Sequence, residues 1–148
     1  MRMVYNLCIS MKLEFDIAAG DFSRAGGASS QIKRMLKQLQ VDTKIIKRIV
    51  VAIYEAEVNV VAHSLGGRLQ AEINSSHIEV WVKDDGPGID DIERAMQTGF
   101  STASKKVREM GFGAGMGLPN IKKNADELKI DSIPGKGTVL WFRNDFNE

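Results

Sequence analysis

The sequence predicts a two-layer α/β (α+β) domain in which a mixed, mostly antiparallel sheet carries about three main helices on one face. Two pairs of strand-like segments are each joined by a short turn, and a further strand-like segment begins at residue 11. Three other segments carry apolar residues at helical spacing. We therefore expect a single domain over residues 11–148, preceded by a short extension at residues 1–10.

Composition narrows the class of protein. The 148 residues, of which 43% are hydrophobic, suffice for one full core. Lysine and arginine number 20 against 19 acidic residues, and a formal charge of +1 gives no indication of bulk binding to nucleic acid. The single cysteine, Cys8, excludes an internal disulfide. No apolar run approaches the roughly 20 residues of a membrane span, so we expect a cytoplasmic protein without nucleic-acid or membrane partners.

The first half of the chain predicts one strand and two helices. Residues 11–17 alternate between polar and apolar side chains, as in a half-buried strand. The segment 31–40 has apolar residues every three or four positions, which predicts an amphipathic helix. Asp42 or Thr43 can cap a longer helix that starts at about residue 44. The glycine pair 66–67 is expected to end that helix.

The second half predicts two hairpins, a short helix, a mobile loop and a helix that opens with glycine. The loop mixes glycine, serine and charged residues without a clear period. In chain order these segments are 68–73 and 77–83 (first hairpin), 91–97 (short helix), 98–114 (loop), 115–128 (helix), and 129–133 and 138–143 (closing hairpin).

Glu55, Asn59 and His63 form a polar stripe along the long helix. A helix advances by about 100° per residue, so residues four apart drift by only about 40°. A carboxylate, an amide and an imidazole aligned in an apolar helix are costly to bury unless something polar binds there. A ligand site and a solvated helix face both remain open. The apolar side chains expected around the stripe are Val51, Val58, Val61, Ala62 and Leu65.

Three later segments are rich in glycine. Asp84 begins DDGPGI at a strand end, where a carboxylate can accept a hydrogen bond from an exocyclic amine such as that of adenine. Alternating glycines between residues 111 and 117 precede a helix, where backbone N–H groups can converge on an anion. The segment GKGT at 135–138 suits a turn between two strands. Each segment alone also has a purely structural explanation as a turn.

Together and in this order, the four segments resemble the nucleotide-binding fold shared by gyrase, histidine kinases and the mismatch-repair ATPases, the GHKL or Bergerat fold. Within it the chain is most similar to the small bacterial anti-sigma-factor serine/threonine kinases and their switch-kinase relatives, through EAEVNVVAHSLGG, DIERAMQTGFST and GMGLPNIKKNADEL. The resemblance covers about residues 11–144. Its boxes are ExxxN (Glu55, Asn59), DxGxG (Asp84, Gly86, Gly88), a glycine box (Gly113, Gly115, Gly117) and GxGT (Gly135, Gly137, Thr138).

The resemblance implies a role for each box. Glu55 would be the general base that takes the proton of a substrate hydroxyl, and Asn59 would be a magnesium ligand between the phosphates. Asp84 would bind the adenine amine with support from Thr138, while the glycines of the DxGxG box would admit the ring. The residues of the glycine box would leave backbone N–H groups free for the phosphates. ATP or ADP with Mg²⁺ is therefore the expected ligand.

The loop before the glycine box departs from the family pattern. Many of these kinases carry an arginine just before the last glycine pair, where this chain has Gly113 and Ala114. Lys105, Lys106 and Arg108 are expected to neutralise phosphate charge instead, and a solvated loop is the alternative for all three.

The function implied by the resemblance is transfer of the γ-phosphate of ATP to a serine or threonine of a small regulatory protein, such as a STAS-type anti-sigma-factor antagonist. A sigma factor is a further expected partner, and relatives of this class are often homodimers. The alternatives are a non-catalytic nucleotide-binding anti-sigma module and a detached ATP domain of a histidine kinase. The last needs a phosphoacceptor histidine on a dimerisation helix, and neither His63 nor His77 lies in such a place. His63 is expected either to hydrogen-bond near the phosphates or to close off the helix stripe, and His77 is expected to be exposed.

Overall fold

The computed structural model describes residues 10–97 and 117–147. Most of the predicted extension and the whole of the predicted loop lie outside these ranges. Within them the elements, labelled in chain order, are β1 (Met11–Ile17), α1 (Gly27–Gln38), α2 (Thr43–His63), β2 (Gly67–Ile73), β3 (His77–Asp84), α3 (Ile92–Ala95), α4 (Gly117–Asn124), β4 (Glu127–Ile133) and β5 (Gly137–Asp145).

The strands form one sheet in the order β1-β2-β3-β5-β4. Every pairing among the described strands is antiparallel, and both predicted hairpins, β2–β3 and β4–β5, are present. The fold class predicted from the sequence is therefore confirmed. The described sheet contains no parallel pair, although a mixed sheet was expected.

Alternation along the strands decides which face of the sheet is covered. Leu69, Ile78, Val80 and Phe142 are buried, as is every second residue of these strands, and they pack against the helices in one core. The opposite face carries polar residues and both tryptophans. Trp81 lies opposite Trp141 across the β3–β5 pair, and Lys129 lies 5.2 Å from the centre of the Trp141 ring.

The long helix α2 begins where the sequence predicted. The side chain of Asp42 accepts a hydrogen bond of 2.8 Å from the Lys44 N–H, which satisfies one of the free donors of the first turn. The helix ends at His63, earlier than predicted, because Ser64 is already extended. Gly67 is the first residue of β2 rather than part of a helix end. Leu65 was expected on the apolar surface of the helix but is 80% exposed.

Two further boundaries differ from the predictions. Helix α1 begins at Gly27, ahead of its predicted start at residue 31, because the buried Glu57 of α2 accepts hydrogen bonds from the N–H groups of its first turn. Helix α4 ends at Asn124 instead of continuing to Leu128, since β4 already begins at Glu127. In the described ranges, none of the helices is both long enough and apolar enough to span a membrane.

Candidate functional site

Glu55, in the polar stripe of α2, lies against the start of α4. Glu55, Asn59 and His63 are all half-buried. The Asn120 side-chain amide donates a hydrogen bond of 3.3 Å from Nδ2 to Glu55 Oε1. A side chain at Gly117 would begin 3.4 Å from Glu55 Oε2, so the glycine lets α4 approach the carboxylate. Glu55 of the predicted ExxxN box therefore lies beside Gly117, the last residue of the predicted glycine box.

The predicted adenine-binding turn begins at the end of β3. Asp84 is only 9% exposed, and its Oδ1 accepts a hydrogen bond of 2.8 Å from the Gly86 N–H. Gly88 adopts a φ of +76°, and a Cβ there would lie 2.5 Å from the Ile133 carbonyl oxygen. Both glycines of the DxGxG box are thus required by close approach of backbone or side-chain atoms.

Three strands meet around Asp84. Antiparallel pairing places Asp84 opposite Gly67 on β2 and opposite Thr138 on β5. A Cβ on Gly137 would collide with the Asp84 carbonyl oxygen. Thr138 is buried, and its hydroxyl lies 2.9 Å from the Ser132 hydroxyl. The predicted DxGxG and GxGT boxes are therefore adjacent in space, which their separation in sequence does not reveal.

The end of α2 connects the two halves of the site. A Cβ on Gly86 would lie 2.9 Å from the Ser64 hydroxyl, so the Asp84 turn packs against the residue that follows α2. Gly135 lies at the tip of the closing hairpin, where a side chain would meet no atom within 4 Å. Of the other predicted site residues, Lys105, Lys106, Arg108, Gly113 and Gly115 lie outside the described ranges.

The oxygen atoms on the polar stripe of α2 suit a magnesium ion that is bound together with a nucleotide. No three His, Cys, Asp or Glu side chains among residues 10–97 and 117–147 come together as a metal site. Magnesium is commonly bound through one or two protein oxygens together with substrate phosphates. Asn59 offers an amide oxygen one helical turn from Glu55, so the residues present suit that mode of binding.

A cleft of about 640 Å³ lies on the other side of α2. Its walls include Tyr54 and Glu57 of α2 and the residues that lead into α1, but none of the predicted nucleotide-site residues. Glu57 accepts hydrogen bonds from the N–H groups of Gly26, Ala28 and Ser29 at 2.8–3.2 Å. Burial raises the pKa of the Glu57 carboxyl, and these hydrogen bonds oppose the rise.

Sequence reasoning missed three polar residues and misjudged one. No local sequence pattern marks the three missed residues, because each makes its key contact with a residue distant in the chain. They are Asn120, Ser132 and Glu57. Ser132 accepts a hydrogen bond of 2.7 Å from the Ile89 N–H and so ties the DxGxG box to β4. His77 was expected to be exposed, but it is half-buried and lies within hydrogen-bonding distance of Asn74 and Ser76 in the β2–β3 turn.

Comparison with known proteins gives a consistent result. Residues 20–144 match the family described as the histidine kinase-like ATPase domain. The chain is 30% identical to the "Serine/threonine-protein kinase RsbT" of Bacillus subtilis (strain 168) over 144 residues, which cover 92% of this chain and 96% of the relative. It is 34% identical to the "Anti-sigma F factor" of Thermoanaerobacter sp. (strain X514) over 118 residues, or 76% of this chain and 79% of the relative.

A solved structure supports the fold. The mycobacterial sensor histidine kinase MprB aligns with a TM-score of 0.50 at 18% identity, covering 91% of this chain and 97% of that one. Membership of an ATPase domain family implies an ATP site. The chain belongs to the histidine kinase-like (GHKL) ATPase family and, within it, to the group of anti-sigma and switch serine/threonine kinases.

Proposed function

We propose that this protein is an ATP-dependent serine/threonine protein kinase that phosphorylates a small regulatory protein of the STAS anti-sigma-antagonist type. The observation that carries the proposal is Glu55 on α2, half-buried beside the first turn of α4 and one helical turn from Asn59. A base and an oxygen ligand at this spacing suit phosphoryl transfer, which depends mainly on positioning and charge neutralisation. The similarity to a relative named as a serine/threonine-protein kinase supports it.

The nucleotide is proposed to bind with its adenine at the Asp84 turn. Asp84 is buried but keeps a carboxylate oxygen, Oδ2, that can accept from the adenine amine. Thr138 lies directly across the β3–β5 pair and would support it. The phosphates would then extend toward Asn59, Gly117 and the predicted residues of the loop and glycine box, Lys105, Lys106, Arg108, Gly113 and Gly115.

The proposed reaction moves one proton and one phosphoryl group. Glu55 accepts the proton of the substrate hydroxyl as the hydroxyl oxygen bonds to the γ-phosphorus. The bond from the γ-phosphorus to the β,γ-bridging oxygen breaks, and its electron pair leaves with ADP. Magnesium, when bound with the nucleotide through the Asn59 amide oxygen, supplies neutralisation of phosphate charge.

Two substitutions test the proposal. Glu55→Gln keeps the size of the side chain but cannot accept the proton, so single-turnover transfer to a STAS-domain substrate should fall by about 10²–10⁴-fold. Its affinity for nucleotide should change little. Asn59→Ala should weaken magnesium-nucleotide binding and transfer together. Melting curves of the same samples control for folding. A Glu55→Gln protein that folds, binds ATP and transfers phosphate at the wild-type rate would remove Glu55 from this role.

A non-catalytic anti-sigma module is the second candidate, because a 34% identical relative is named as an anti-sigma factor. That candidate predicts tight nucleotide binding and capture of a sigma factor, with no transfer by the wild-type protein. A sigma factor and a second copy of this chain are proposed partners under either candidate. Labelled ATP offered to the wild-type protein together with STAS-domain proteins separates the two candidates.

A further inference from the structure

The Glu55 carboxylate lies beside the first turn of α4. Oε1 accepts the hydrogen bond from Asn120 Nδ2 at 3.3 Å, and Oε2 lies 3.4 Å from the position of a Cβ on Gly117. Gly117 and Asn120 are three residues apart and therefore share one face of the helix. An ionised carboxylate only accepts hydrogen bonds, so the Asn120 amide must present its nitrogen to Glu55.

We propose that Asn120 is a positioning residue that fixes the orientation of the Glu55 carboxylate for proton transfer. The inference rests on the proposed function, in which Glu55 is the general base. A glutamate side chain has three rotatable bonds, and a base is effective only when it is held in reach of the proton it takes. The neutral amide occupies one lone pair of Oε1 and leaves the remaining lone pairs of the carboxylate available.

Other contacts anchor α4, so the Asn120 side chain is not needed to hold the helix in place. Within the helix, the Asn120 carbonyl oxygen accepts a hydrogen bond of 2.8 Å from Asn124 Nδ2. The Asn124 carbonyl oxygen in turn accepts one of 2.8 Å from Asn144 Nδ2 on β5. Leu118 and Ile121 are buried in the core and hold the helix against α2 and the sheet. The amide of Asn120 is thus presented to Glu55 from a rigid support.

The test is a double-mutant cycle on the full chain, measured as single-turnover transfer from labelled ATP to a STAS-domain protein. Asn120→Ala should slow transfer by about five- to thirtyfold, since a hydrogen bond to a charged group is strong but this one is half-exposed. ADP affinity should stay within about twofold, because Asn120 is not assigned a nucleotide contact. In the Glu55→Gln background the same substitution should cause no further loss. Lys123→Ala, exposed on the same helix, is the matched control.

Each outcome bears on a different claim. Equal losses from Asn120→Ala in both backgrounds would overturn the positioning role, because the effect would not pass through Glu55. If Glu55→Gln is slow while Asn120→Ala transfers at the wild-type rate or faster, the positioning role alone fails. Wild-type transfer by Glu55→Gln, or no transfer by the wild-type protein, would overturn the proposed function and this inference with it.

Discussion

Glu57 links two helices through a buried carboxylate. Its side chain is 3% exposed and accepts three backbone N–H groups at the start of α1. Burial raises the pKa of this carboxyl above its ordinary value near 4.5, with the backbone hydrogen bonds acting in the opposite direction. The folded state therefore holds the Glu57 proton more tightly than the unfolded state. The stability that this contributes is complete below about pH 4.5 and is lost as pH rises through the folded pKa.

The first prediction compares the wild-type protein with Glu57→Gln in urea denaturation between pH 4 and pH 8. The amide cannot ionise, so the wild-type protein should lose stability relative to the variant as pH rises above about 4.5. The difference should become constant once the pH exceeds the folded pKa of Glu57. A difference that does not change with pH would contradict the prediction. Glu57→Ala should destabilise at every pH, by about 2 kcal/mol or more, because buried N–H groups lose their acceptor.

The second prediction concerns Asp84. Asp84→Asn retains an oxygen that can accept from the Gly86 N–H, so the turn should persist. The Asn side chain would then direct its NH₂ group, a donor, toward the adenine amine, which is also a donor. The hydrogen bond to the charged acceptor is lost, so ADP binding should weaken by about ten- to a hundredfold. Calorimetric titration measures this, with the exposed neighbour Asp85→Asn as the control. Unchanged ADP affinity in Asp84→Asn would separate Asp84 from adenine recognition.

Local sequence reasoning identified candidate site residues from their immediate neighbours in the chain. Six consecutive letters predict the turn at Asp84, and helical period predicts that Glu55 and Asn59 lie on one side of α2. Their roles as site residues were implied only by the family resemblance. Asn120 could not be found in this way, because it meets Glu55 across a separation of 65 residues. Glu57 was missed for the same reason, since its partners lie about thirty residues earlier in the chain.

At the scale of elements, a turn can require glycine for two separate reasons, a left-handed backbone or a lack of space for a side chain. Gly88 and Gly135 both have positive φ values, +76° and +80°. A Cβ on Gly88 would lie 2.5 Å from the Ile133 carbonyl oxygen, whereas one on Gly135 would meet nothing within 4 Å. A substitution at Gly135 therefore measures the cost of the left-handed backbone alone, without the cost of a collision.

The third prediction uses this pair. Gly135→Ala should destabilise the protein by about 1–2 kcal/mol, the usual cost of a left-handed backbone for a residue with Cβ. Gly88→Ala should cost clearly more and should also weaken ADP binding, because relief of the collision moves the DxGxG turn away from β4. Urea denaturation and ADP titration of both variants provide the measurements. Equal losses of stability would indicate that the contact with Ile133 is relieved without cost.

Periodicity located the elements of this fold but not all of their ends. The cap of α2 was predictable because Asp42 accepts its hydrogen bond from Lys44, only two residues later in the chain. The start of α1 was not, because its first turn is satisfied by a side chain from another helix. The end of α4 was misplaced because the apolar residues that continue its pattern belong to β4, where they alternate instead.

At the scale of the whole molecule, the sheet has two unlike faces. One carries the helices and the candidate nucleotide site, and the other carries Trp81 and Trp141 as a cross-strand pair. The order β1-β2-β3-β5-β4 places the last strand of the chain between β3 and β4. The two hairpins could be predicted from the sequence, because each joins neighbouring segments. The insertion of β5 could not, because β3 and β5 lie far apart in the chain.

The insertion of β5 next to β3 has a kinetic consequence. The proposed nucleotide site includes Asp84 on β3 and Thr138 on β5, which lie opposite each other in the sheet. We therefore expect nucleotide to bind only after β5 has docked. We expect this non-local pairing to form late in folding, because the cost of closing a long loop must be met first. ADP should therefore prolong the lifetime of the native protein without accelerating its formation. Stopped-flow urea jumps, followed by the fluorescence of the two tryptophans, should show slower unfolding with ADP and an unchanged refolding rate. Faster refolding with ADP would instead mean that the site is already assembled at the folding barrier.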